Sequence, residues 1–83
     1  MKVTVKLFAL LEKYLPAGAK DYQVEIEMDD GASAANVIAK LKLPPELCHL
    51  VLVNGIYLQP DERESRPLTS TDTLAIWPPI AGG

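Results

Sequence analysis

The chain has 83 residues, of which 48% are hydrophobic, 23% charged and only 6% aromatic, and its formal net charge is −3. That balance describes one small globular domain with an aliphatic core, which buries only ~60–65% of the surface of its unfolded chain and leaves little room for a deep active site. The acidic charge argues against nucleic acid, whose binding needs a basic face, and suits a basic protein partner.

The single cysteine, Cys48, cannot form an internal disulfide, which predicts a reducing, cytoplasmic setting. Residues 1–6 alternate in polarity and lack a signal peptide's apolar block. No apolar run approaches the ~20 residues that span a bilayer, so no membrane is expected.

Residues 2–8 alternate strictly, with Val3, Val5 and Leu7 on one face and Lys2, Thr4 and Lys6 on the other. This predicts a strand with one buried face. Residues 9–14 hold no breaker and predict a short helical turn, ended by Pro16 and Gly18. Residues 22–28 alternate again, so Tyr22, Val24, Ile26 and Met28 are expected inside. Asp29-Asp30-Gly31 is a turn, and Ser33 is the expected N-cap of a helix. That helix runs to about Lys42, presents Val37, Ile38 and Leu41 to a sheet, and is terminated by Pro44-Pro45.

Leu50–Val53 is a short apolar strand, and Asn54-Gly55 is the strongest short hairpin signal, because both residues of the turn take positive φ. Ile56, Tyr57 and Leu58 form the return strand. Residues 60–67 read as a polar surface loop, and Thr73–Trp77 as a last strand stopped by Pro78-Pro79. One helix crossing one face of a mixed sheet is an α+β arrangement. Parallel pairing is expected between the first and last strands, which would be central.

The chain ends Trp77-Pro78-Pro79-Ile80-Ala81-Gly82-Gly83. Two glycines carry no Cβ, so a partner's backbone can close around them, and the prolines favour an extended exit. The expectation is a domain of residues 1–79 with a flexible tail over 80–83 that presents the Gly83 carboxylate. A carboxylate resists sulfur nucleophiles until it becomes a mixed anhydride, for example with AMP. The sequence has no G-x-x-x-x-G-K-[ST] loop and no His/Cys/Asp cluster suited to a metal. The activating chemistry is therefore expected in a partner, with no cofactor or metal bound by this chain. A terminal Gly-Gly is also how many frayed ends finish; the double proline and the strand leading into it give this one its weight.

The chain resembles the MoaD/ThiS-type sulfur carriers over nearly its whole length, and most closely the small subunits of molybdopterin synthase. The resemblance rests on the strand over residues 2–8, the helix near 33–42, and Leu52-Val53-Asn54-Gly55. Leu68 before a Thr-Asp turn, and Leu74-Ala75-Ile76 leading into Pro78-Pro79-Ile80-Ala81-Gly82-Gly83, complete it. The Pro-Pro-Ile-Ala-Gly-Gly ending is its specific part; thiamin-type carriers usually lack the double proline. One departure is Ser70-Thr71-Asp72-Thr73, where the family commonly has a glycine.

The resemblance implies a β-grasp, ubiquitin-like fold. It implies that a ubiquitin-activating-like adenylyltransferase adenylates Gly83 with ATP, and that the adenylate becomes a thiocarboxylate. It further implies that the tail, Ile80, Ala81, Gly82 and Gly83, enters the large synthase subunit and gives sulfur to a pterin precursor of the molybdenum cofactor. The chain is then a protein cosubstrate, not an enzyme by itself. Related carriers serving thiamin, cysteine synthesis or tRNA thiolation, and ubiquitin-like modifiers, share the pattern.

Trp77 has the parity of Ala75, opposite Leu74 and Ile76, which puts it on the open side of the sheet as a partner anchor beside Pro78 and Pro79. Ordinary core packing is its alternative. Cys48 reads as a small buried hydrophobe, with His49 on another face. The mixed charges of residues 61–66 read as a solvated surface, with docking of the activating enzyme as the alternative.

Overall fold

A computed structural model describes residues 1–79 of the chain. Five strands form one sheet: β1 (Lys2–Leu7), β2 (Gln23–Glu27), β3 (Leu50–Val53), β4 (Ile56–Tyr57) and β5 (Thr73–Trp77). Their order is β2-β1-β5-β3-β4. β1 and β5 are parallel, with Val5 opposite Leu74 and Leu7 opposite Ile76, and the other pairings are antiparallel. The central parallel pair is where the sequence places it. A helix, α1 (Ala34–Lys40), supplies Ala34, Val37 and Ile38 to the buried face. This mixed sheet with a helix on one face is the β-grasp arrangement.

The core follows the alternation. Val3, Val5 and Leu7 of β1, Leu74 and Ile76 of β5 and Val51 of β3 are all completely buried. Asn54 (φ 52°) and Gly55 (φ 82°) make the hairpin turn that joins β3 to β4. Residues Ala9–Tyr14 form a 3₁₀ turn that buries Leu11. No helix among the described residues is long and apolar enough to cross a membrane.

Ser33 caps α1. Its hydroxyl accepts from the Asn36 N–H at 3.3 Å, while the Ser33 N–H donates to the Asn36 Oδ1 at 2.9 Å. The two orphan donors are satisfied reciprocally.

Three local expectations need correction. The helix stops at Lys40, before the prolines, because it carries its own terminator. Lys42 turns left-handed (φ 58°), so its N–H reaches the Ala39 carbonyl and the Leu43 N–H reaches the Ile38 carbonyl. Tyr22 is half exposed rather than inside. With Asp21 (φ 53°) it forms a two-residue turn, and Lys20 and Gln23 exchange both backbone hydrogen bonds across it. β2 therefore starts one residue later. Residues 60–67 are not all loop: Glu62–Ser65 form a helical turn, α2. The Glu62 carboxylate accepts from the Gln59 N–H at 2.9 Å, and Arg63 donates to the carbonyls of Cys48 and His49. Arg63 is thus occupied within the fold.

Candidate functional site

α1 covers one face of the sheet and leaves the other uncovered. Register decides what that open face displays. Across its middle run Gln23, Lys6, Ala75, Leu52 and Tyr57, each opposite the next. One step toward the tail, Trp77 lies opposite Leu50. Phe8 follows β1 there, and its N–H bonds the Ile76 carbonyl at 3.2 Å. The Phe8 and Trp77 rings stack with centroids 4.2 Å apart and planes 6° from parallel. Tyr22 continues the row, 6.0 Å from Phe8. Leu50, Tyr57 and Tyr22 are 37%, 43% and 50% exposed. A shallow hollow of about 350 Å³ lies among Lys6, Phe8, Leu52, Ala75 and Trp77. Exposed apolar and aromatic area contiguous on one face marks an interaction surface.

Trp77 is therefore on the open face, as its parity predicts, and half-buried against Phe8. Pro78 is buried and Pro79 exposed at the exit of β5. Ile80, Ala81, Gly82 and Gly83 lie outside the described residues. Phe8 and Tyr22 were not among the expected site residues. Phe8 has the parity of Lys2, Thr4 and Lys6, and the parallel pairing of Lys6 with Ala75 puts it beside Trp77. That signal was in the sequence. Tyr22 was not readable, since a tyrosine seldom takes the left-handed backbone (φ 67°) that carries it there.

The start of β5 is fixed by one buried carboxylate. Asp72 accepts from the Asn54 side-chain amide at 2.8 Å and from the Thr69 N–H at 2.9 Å, and Arg66 lies 3.9 Å away. Asn54 in turn accepts from the Thr73 N–H at 2.9 Å. The hairpin turn is thereby tied to the strand that leads to the tail. Ser70 and Thr71 both keep negative φ, so this turn needs no glycine.

Burial acts to raise the Asp72 pKa, but the hydrogen bonds from Thr69 and Asn54, with Arg66, outweigh it and hold the carboxyl below its ordinary value. A carboxyl depressed in the folded state stabilises the fold above its unfolded value of about 3.9, and loses that contribution as pH falls through the folded value. Stability should therefore drop on acidification below about pH 4, and more steeply than in Asp72→Asn. Urea midpoints across that range check this. At pH 7, Asp72→Ala should cost about 1–3 kcal/mol.

Cys48 is buried, as expected. Burial pushes its thiol up, with Glu46 adding to the effect and Arg63 opposing it, so it stays protonated and a poor nucleophile. His49 is exposed. Among the described residues no three His, Cys, Asp or Glu side chains cluster as metal ligands would.

Comparison with known proteins agrees with this geometry. The solution structure of the Haloferax volcanii HVO 2177 protein superposes with a TM-score of 0.77 at 23% identity, covering 100% of this chain and 87% of that one. A Pyrococcus furiosus protein, provisionally assigned as molybdopterin converting factor subunit 1, gives 0.67 at 28% identity over 95% of this chain and 98% of its own. In the Helicobacter pylori complex of subunits 1 and 2 of molybdopterin-converting factor, the matching chain gives 0.61 at 20% identity, with both chains fully covered. No curated protein matches the chain. The ThiS family model matches residues 5–83. The chain accordingly belongs to the ThiS family, the small ubiquitin-like sulfur carriers.

Proposed function

We propose that this chain carries sulfur as a thiocarboxylate on Gly83, and that it serves as the small subunit of a molybdopterin synthase. One observation carries the reading. β5 bears the open-face anchor Trp77 and runs through Pro78-Pro79 into Ile80-Ala81-Gly82-Gly83, in a chain of a sulfur-carrier family.

The chemistry proceeds in two steps. A Gly83 carboxylate oxygen attacks the α-phosphorus of ATP on the adenylylating partner, and pyrophosphate leaves. Hydrosulfide then attacks the acyl carbon, AMP leaves with the bridging oxygen, and loss of the sulfur's proton leaves the thiocarboxylate. A C–S bond replaces a C–O bond. This chain contributes recognition and reach: Trp77, Phe8 and the apolar residues beside them dock, and Pro78-Pro79 favour extended backbone at the exit of β5. Support for the pathway is the Helicobacter pylori structure, in which a chain of the same fold is complexed with subunit 2 of molybdopterin-converting factor. In that role the tail enters the large subunit, and two sulfur transfers to cyclic pyranopterin monophosphate make the dithiolene.

The first step is tested by pyrophosphate release from ATP with the organism's adenylylating enzyme. Release should appear only when this chain is added, at about one pyrophosphate per chain. No stimulation by the chain would contradict the proposal. The pathway is tested by adding the large subunit and pterin precursor to loaded chain. Molybdopterin is the expected product, and its absence would leave the chain a carrier for another acceptor.

A further inference from the structure

The open face has one charge in the wrong place for a purely apolar contact. Along the β1–β2 pair, Lys2 lies opposite Glu27 and Thr4 opposite Glu25, but Lys6 lies opposite Gln23 on one side and Ala75 on the other. Lys6 makes no ion pair with any described residue. It is half-buried on the strand next to β5, and lines the same hollow as Phe8, Leu52 and Trp77. A partner covering Phe8 and Trp77 must also cover the Lys6 stem and take water from its ammonium. An ammonium so desolvated needs a compensating charge, or it opposes binding.

We infer that this face accepts an apolar protein surface bearing one carboxylate placed over Lys6, and that Lys6 reads that carboxylate. The inference rests on the reading that the open face docks the adenylylating partner. Charge complementarity at this point commits the occupant, since a surface with no carboxylate over Lys6, whatever its overall charge, would leave the ammonium buried and unpaired. Lys6 is then a specificity device: apolar contacts supply area, and the charge rejects apolar surfaces that lack the carboxylate.

The test uses the whole chain and the organism's purified adenylylating enzyme without ATP. Trp77 is the only tryptophan of the chain, so its fluorescence reports on this face, and calorimetry gives the dissociation constant. Lys6→Met keeps the apolar stem and removes the charge. It should weaken binding by about 30-fold or more, because the partner's carboxylate is left buried alone. Lys6→Glu should weaken it further, and Lys6→Arg should bind close to wild type. Wild-type affinity should fall with added salt more steeply than that of Lys6→Met. Thermal midpoints of the three variants should match wild type, since Lys6 makes no ion pair with any described residue. Lys6→Met binding as tightly as wild type would overturn the inference and leave the sulfur-carrier reading standing. If wild type shows no association with the enzyme, both fall.

Discussion

Deletion of Gly82 and Gly83 is expected to abolish loading by the adenylylating partner while leaving the melting temperature almost unchanged. In the proposed reading the reacting group is the Gly83 carboxylate, and shortening the chain by two residues moves the terminal carboxylate back to Ala81. The enzyme's active site would then meet a side chain where it is shaped for bare backbone. The buried residues described all lie between Val3 and Pro78, so the deletion removes none of them. Pyrophosphate release and a thermal melt, run on the same sample, separate the two outcomes. A large fall in melting temperature, or loading of the truncated chain, would contradict the division between handle and tail.

Ile76→Ala should do the reverse, destabilising the handle without touching the reactive end. Ile76 is completely buried in the central strand β5, opposite Leu7 on one side and Val51 on the other. Removing its branched end from a packed site costs about 2–5 kcal/mol. A domain of this length holds roughly 4–12 kcal/mol in all, at about 0.05–0.15 kcal/mol per residue. The midpoint should therefore fall by about 8–40 °C, taking about 4–8 °C per kcal/mol for so small a domain. Ala75, its neighbour, points to the open face. Ala75→Ser should shift the midpoint far less, and the contrast identifies which face of β5 is core.

Much of this was legible because it is local. Alternation fixed the faces of β1 and β5, where every second residue must leave water. Asn54-Gly55 announced a turn whose backbone few other pairs tolerate. Ser33 announced a helix start through its hydroxyl. What escaped depends on partners distant in sequence or on backbone choices against propensity. α2 is only four residues long and is tied down partly by Arg63 on the carbonyls of Cys48 and His49. A mixed run of charges gives no hint of that bond. Lys42 closes α1 in a conformation that normally selects glycine, so the sequence pointed instead to the prolines. Tyr22 broke the alternation of its segment because Asp21 and Tyr22 form the turn before β2.

The candidate site was legible in halves. Trp77 followed from parity alone. Phe8 required the parallel register with β5, although both facts needed to infer it were available. Alternation puts Lys6 on the face of β1 away from the core, and only the cross-strand pairing shows that Gln23 and Ala75, not a carboxylate, lie opposite it. The tail was readable only as sequence, since its significance lies in composition and position.

Whether Gly83 carries sulfur can be read from the intact mass of the chain. The chain should be coproduced with its adenylylating enzyme, or incubated with that enzyme, ATP and a sulfur donor. The mass should rise by the difference between one sulfur and one oxygen, with the change located by fragmentation at Gly83 and absent without ATP. A tail that keeps its ordinary carboxylate mass under every one of these conditions would contradict sulfur carriage by Gly83.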